Sequence, residues 1–172
     1  MPEAKCIDIF LMPGDCFVGD EQYRVRTLVG SCVSVTLWHP RLRVGAMSHF
    51  LLPGSNRKRD KPGPAGTYGA DAMDYLLAEL DRLGVPLTQC EGKIFGGGAM
   101  FPRHARVKDI GMQNGDCARD LMRQHGIRIV SESLFGEGHR QLIFTIRTGE
   151  VLSRQVPPEF ALHPQPRNKE QA

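Results

Sequence analysis

Cys32 and His49 are the residues of this 172-residue chain whose types could perform nucleophilic chemistry together. An isolated thiol, with a pKa near about 8.5, is only a few per cent thiolate at neutral pH, and an adjacent imidazole can take its proton. After attack on a carboxamide or ester carbonyl, the imidazolium can protonate the leaving group. The same ring can then deprotonate the water that hydrolyses the thioester. Gly30 and Ser31, immediately before Cys32, suit a tight turn whose backbone N–H groups stabilise the oxyanion of the tetrahedral intermediate. Thr27 can present its hydroxyl to the imidazole as an orienting third member, or can serve simply as a strand former. The residue types also allow a plainer alternative, in which a cross-strand cysteine and histidine are core filling.

The elements that must position these groups are legible on either side of them. Val33, Val35 and Leu37 alternate with Ser34, Thr36 and Trp38, and a second extended run follows from Arg43 to Leu52. His39-Pro40-Arg41-Leu42 is the expected turn of a β-hairpin, with Trp38 facing Arg43 across it. That register sets Cys32 directly opposite His49, where facing Cβ atoms lie roughly 4.5–5.5 Å apart. One bulge would break it.

Further strands are expected at Ile7–Met12 and Tyr23–Thr27, then at Lys93–Phe95, Ile127–Ser131, Gln141–Ile146 and Val151–Gln155. Met73, Leu76, Leu77, Leu80 and Leu83 recur at helical spacing, with Gly84 and Pro86 as the stop. A second helix is expected from about Asn114 to His125. Between the two, Gly96-Gly97-Gly98 can admit a substrate backbone or form a loop, but it lacks the Gly-Lys-Ser/Thr of a phosphate loop. Met100 and Phe101 read first as core packing and second as an exposed apolar contact for a partner. The proline-rich stretch after Val156 has few apolar residues and reads as a disordered tail.

The composition sets bounds on function. A net charge of +3 with interspersed signs gives no reason to expect a nucleic-acid binder. The basic cluster Asn56-Arg57-Lys58-Arg59-Asp60-Lys61 reads as a solvated loop, with a docking patch for an acidic partner as the second reading. Five cysteines without close spacing fit free thiols in a reducing compartment. There is no C-x-x-C or H-x-x-x-H pair to suggest zinc. Ile7 to Met12 is too short for a signal-peptide core and no segment approaches membrane-spanning length, so a cytoplasmic protein is expected.

Several motifs in a fixed order carry a resemblance to a known family. They are Gly30-Ser31-Cys32-Val33, the run Gly45-Ala46-Met47-Ser48-His49-Phe50-Leu51-Leu52-Pro53, the run Lys93-Ile94-Phe95-Gly96-Gly97-Gly98-Ala99-Met100-Phe101, and Ile110-Gly111 followed by Asn114. Over about residues 7 to 156 the chain resembles CheD, the chemoreceptor glutamine deamidases of bacterial chemotaxis. The resemblance implies an α/β (α+β) three-layer sandwich with two main helices and mixed or antiparallel sheets, similar to the catalytic domains of cytotoxic necrotising factor toxins. A single domain would span residues 1–156, with 157–172 as the tail.

The resemblance further implies a nucleophile at Cys32, a base at His49 and an orienting threonine at Thr27. Forms of the motif with one more residue before Gly-Ser-Cys would put that third member at position 26, here Arg26. Ser31, Gly97, Gly98 and Phe101 are the candidates for substrate contact. The implied substrate is a glutamine side chain on the cytoplasmic helical region of a methyl-accepting chemotaxis receptor, hydrolysed to glutamate and ammonia without metal or organic cofactor. CheC, a phosphatase, is the further partner that the family suggests. Two alternatives are a non-catalytic adaptor, whose binding would survive Cys32→Ala without ammonia release, and a different thiol acyl-transfer enzyme.

Overall fold

The computed structural model describes residues 5–56, 63–101 and 109–158. The basic residues Arg57 to Lys61, His104 and the tail beyond Pro158 lie outside them.

β4 (Val33–His39) is the centre of the molecule, because its two faces are both apolar enough to be covered. Val33, Val35 and Leu37 point one way, into a core shared with two helices. Ser34, Thr36 and Trp38 alternate with them and point the other way, where Trp38 packs in a second core. β4 pairs with β5 (Val44–Ser48) and with β6 (Glu91–Gly96) in a five-stranded sheet of order β2-β5-β4-β6-β7. Its outer members are β2 (Cys16–Gly19) and β7 (Arg128–Leu134). A four-stranded sheet has the order β1-β3-β8-β9, formed by Ile7–Phe10, Tyr23–Val29, His139–Thr145 and Glu150–Val156. The pairs β1/β3 and β6/β7 are parallel and the remaining neighbours antiparallel. The described residues thus form a mixed α/β fold of two sheets and two α-helices.

α1 (Gly69–Arg82) buries Ala72, Met73, Leu76 and Leu80 against the five-stranded sheet. Gly84 ends it with a φ of +71°, the left-handed conformation that a helix C-terminus favours. Leu83, expected on the buried face, is instead the C-cap and is 48% exposed. α2 (Ile110–Gln124) starts four residues earlier than its expected boundary at Asn114, with Asp109 as N-cap accepting from Met112 N–H at 2.9 Å. Gly111 conceals that start, since glycine disfavours helices. Here it is present because a Cβ would press on the carbonyl oxygens of Gly97 and Gly98.

The second core lies between the sheets, where Val25 and Val29 of β3 and Leu142 and Phe144 of β8 meet Met47 and Phe95. Helices, five-stranded sheet and four-stranded sheet therefore follow one another as layers. Trp38 fastens the two sheets further, its Nε1 donating to the carbonyl of Ile146 at 2.7 Å. Among the described residues, no helix is long and apolar enough to cross a membrane.

Candidate active site

The hairpin pairs Trp38 with Gly45 rather than Arg43, so the turn comprises residues 40–43 and the expected register is corrected by two positions. A slip of two leaves every side chain on its own face, because the strand period is two. Cys32 and His49 therefore both lie on the side that faces the four-stranded sheet, as diagonal neighbours rather than a facing pair. Ser34 takes the place opposite His49, between the Val33–Phe50 and Thr36–Met47 pairs.

Cys32 occupies the bend between β3 and β4, half-buried at the edge of the inter-sheet core. Three consecutive carbonyls of this bend are captured from outside it. Gly98 N–H donates to Gly30 O at 2.9 Å, Asn114 Nδ2 donates to Ser31 O at 3.0 Å, and Gly97 N–H donates to Cys32 O at 2.9 Å. Gly96 turns the chain into this approach with a φ of +118°, and a Cβ there would overlap the Cys32 carbonyl oxygen. The amides of Gly97 and Gly98, candidates for substrate contact, are engaged in holding the bend. Ser31 and Cys32 N–H donate to no backbone carbonyl among the described residues.

His49 follows β5 and is 2% exposed. The loop between β1 and β2 grips its backbone: His49 N–H donates to Asp15 O at 3.1 Å, and His49 O accepts from Gly14 N–H at 2.8 Å. The ring is held from the opposite sheet, with Nδ1 2.7 Å from Thr27 Oγ1. That hydroxyl also donates to Leu11 O at 2.9 Å. A carbonyl can only accept, so the single hydroxyl proton goes to Leu11 and Thr27 accepts from Nδ1–H. The tautomer follows from this network: Nε2 carries the lone pair. Nε2 is buried and has no hydrogen-bond partner among the described residues.

Burial lowers the His49 pKa to about 4, against the opposing pull of the nearby Asp15 carboxylate. Burial also pushes the Cys32 thiol above its ordinary value, with its own backbone N–H acting in the other direction. Both shifts favour the neutral forms, a thiol and an imidazole. Burial therefore opposes a resting thiolate at Cys32.

Arg26, at the alternative third position, projects from the other side of β3 and meets Asp8 at 3.4 Å. Phe101 is 81% exposed, which overturns the core-packing reading for that residue. Met100 beside it is half-buried and packs over Gly30. All five cysteines are unpaired, and burial holds Cys16 at about 12 and Cys90 at about 11. No three His, Cys, Asp or Glu residues among those described are grouped to hold a metal ion.

Asn114 received no role from the sequence, although it is wholly buried at the heart of the site. Besides Ser31 O, its Nδ2 donates to Leu51 O at 2.8 Å, so one amide ties the bend at Cys32 to the segment after His49. The available signal was an amide on a helix face otherwise made of Gly111, Gly115, Ala118, Leu121 and Met122.

A thiol and a buried, tautomer-fixed imidazole on one face of a sheet form the kind of site that supports acyl transfer through cysteine. The family model described as CheD chemotactic sensory transduction matches residues 51–155. A relative from Albidiferax ferrireducens, named "Probable chemoreceptor glutamine deamidase CheD 2", is 54% identical over 158 residues, covering 91% of each chain. A second, "Probable chemoreceptor glutamine deamidase CheD 1" of Chromobacterium violaceum, is 39% identical over 86% of this chain and 77% of its own. A third, from Pseudomonas savastanoi pv. phaseolicola, is 36% identical over 88% of this chain and 86% of its own. The chain belongs to the CheD family.

Proposed function

We propose that this protein is a chemoreceptor glutamine deamidase in which Cys32 is the nucleophile, His49 the base and Thr27 the residue that orients the base. The observation that carries the reading is the Thr27–His49 hydrogen bond of 2.7 Å, which leaves the lone pair at Nε2. Cys32 Sγ attacks the side-chain carboxamide carbon of a receptor glutamine while His49 Nε2 takes the thiol proton. The oxyanion is held by Cys32 N–H and Ser31 N–H. Collapse breaks the C–N bond, and the His49 imidazolium gives its proton to the departing nitrogen, which leaves as ammonia. Water, deprotonated by His49, then attacks the thioester; the products are glutamate and the free thiol.

The substrate is a glutamine on the cytoplasmic region of a methyl-accepting chemotaxis receptor. The domain carrying the activity spans residues 1–156 and belongs to the structural type of the cytotoxic necrotising factor catalytic domains. Its layered order of helices, five-stranded sheet and four-stranded sheet supports that assignment.

The test is mass spectrometry of receptor cytoplasmic fragments incubated with the wild type and with Cys32→Ala. The wild type is expected to add about one dalton per modified glutamine and to release ammonia, and the variant to do neither. No conversion on any receptor of the same cell by the wild type would end the deamidase reading.

The exposure of Phe101 favours a second role, as the contact through which a partner such as CheC docks. Phe101→Ser should then weaken pull-down of CheC while leaving the Cys32 chemistry on a small amide substrate intact.

A further inference from the structure

Asn114 lies on α2, outside the cysteine, histidine and threonine that the proposed reaction uses, yet its side chain is completely buried and reaches the nucleophile bend. Both of its partners, Ser31 O and Leu51 O, are carbonyl oxygens, so the atom between them has to be the amide nitrogen. Its Oδ1 is buried and has no hydrogen-bond partner among the described residues. A buried polar atom left unpaired is a standing penalty. An apolar residue would remove that penalty but would strand two carbonyls, so the two donated hydrogen bonds are what the amide contributes.

The consequence for Cys32 follows from peptide geometry. Ser31 O and Cys32 N–H belong to one peptide unit, and none of the described peptide bonds is cis. In a planar trans peptide the C=O and N–H point in opposite directions. Drawing Ser31 O towards α2 therefore turns Cys32 N–H away from the helix layer, towards the side where its own thiol lies. The pull of Cys32 N–H on that thiol agrees with this orientation. The neighbouring peptide is set in the same manner, since Gly98 N–H holds Gly30 O at 2.9 Å and so directs Ser31 N–H. Val33 N–H is already committed to Phe50 O. Ser31 and Cys32 thus keep the two amides with no backbone acceptor among the described residues.

We infer that Asn114 is a positioning residue of the deamidation reaction: by fixing Ser31 O it aims Cys32 N–H at the oxyanion of the tetrahedral intermediate. The inference rests on the deamidase reading above. It assigns Asn114 to the acyl-transfer step and not to thiol activation. Alkylation of Cys32 by iodoacetamide is a displacement at a saturated carbon and develops no oxyanion, whereas attack on a carboxamide does. The two reactions therefore separate a displaced oxyanion donor from a generally disturbed bend.

The experiment compares wild type, Asn114→Asp and Asn114→Ala in ammonia release from a receptor fragment and in the iodoacetamide rate at Cys32. The Asp variant keeps the shape of the side chain and covers the case in which the alanine variant fails to fold. With an oxyanion donor misdirected, kcat is expected to fall on the order of 10²-fold with KM little changed and the Cys32 alkylation rate unaltered. In Asn114→Asp a protonated carboxyl can still donate one hydrogen bond while a carboxylate can donate none, so the deficit should deepen as pH rises. Retained kcat in a folded variant overturns the inference while leaving the deamidase reading in place. Loss of deamidation and alkylation in the same proportion also overturns it, by reducing Asn114 to a structural strut. If the wild type itself releases no ammonia from any receptor fragment, both readings fall together.

Discussion

Thr27 Oγ1 and His49 Nδ1 are 2.7 Å apart across the interface between the two sheets, Thr27 on the four-stranded one and His49 at the end of β5 in the five-stranded one. The hydroxyl mediates between a ring and the Leu11 carbonyl, and so reports the tautomer of the ring. Thr27→Val preserves the shape but removes the acceptor and the donor. It should lower kcat on the order of 10²-fold through loss of ring orientation. Stability should fall by about 1–3 kcal/mol because Nδ1–H and Leu11 O are left buried and unpaired. Thr27→Ser should restore most of both. Ammonia-release kinetics and urea unfolding read the two effects, and a fully active Thr27→Val would remove Thr27 from the mechanism.

His49 should also impose a pH dependence on stability. Its folded pKa of about 4 lies below its ordinary 6.5, so the unfolded chain takes up a proton at a pH where the folded chain refuses it. The sign follows: His49 subtracts nothing above about pH 6.5, stability declines as pH falls towards about 4, and below that this group adds no further loss. The full decline is about 3 kcal/mol. Urea unfolding through that window should show a smaller loss for His49→Gln than for wild type. Identical losses in the two proteins would remove His49 as the cause.

The neutral resting pair predicts slow alkylation of Cys32 near neutral pH, slower than for an unhindered thiol, and a rate that still climbs past the usual thiol range. Peptide mapping after iodoacetamide treatment isolates the rate at Cys32. A plateau already reached at neutral pH would reveal a preformed thiolate and contradict the neutral pair.

Gly96 is required by two independent constraints, its φ of +118° and the overlap that a Cβ would make with Cys32 O. Gly96→Ala should cost roughly 1–3 kcal/mol from backbone strain alone. The overlap adds to this and displaces the bend, so deamidation should fall more steeply than thermal stability. A variant with unchanged Tm and unchanged kcat would show that the bend relaxes freely.

Most of the elements around the site follow from local patterns. Alternation in Val33–Trp38 identifies the central strand, and the spacing of Met73, Leu76 and Leu80 identifies α1. β2 has no local signal, because Cys16–Gly19 is four residues with no strong alternation and becomes a strand only by pairing with β5. The start of α2 was obscured by Gly111, whose presence answers to the backbone of Gly97 and Gly98 rather than to helix propensity. The observed hairpin register differs from the expected one by two residues for a physical reason. Hydrophobic alternation specifies which face a side chain takes, and a slip of two satisfies it equally well.

Residue types and motif order determined by themselves that the chain carries a cysteine and a histidine suited to acyl chemistry, that both sit at one hairpin, and that it resembles CheD. They left Thr27 and Arg26 as rival third members and gave Asn114 no task. Tertiary structure decided where each of these side chains lies, because that depends on contacts between layers. Successive residues of β3 face opposite ways, so only sheet stacking could bring Thr27 to His49 and send Arg26 to Asp8 on the outer side. Asn114 meets Ser31 only because α2 packs on the far face of the five-stranded sheet, 83 residues along the chain from the carbonyl it holds.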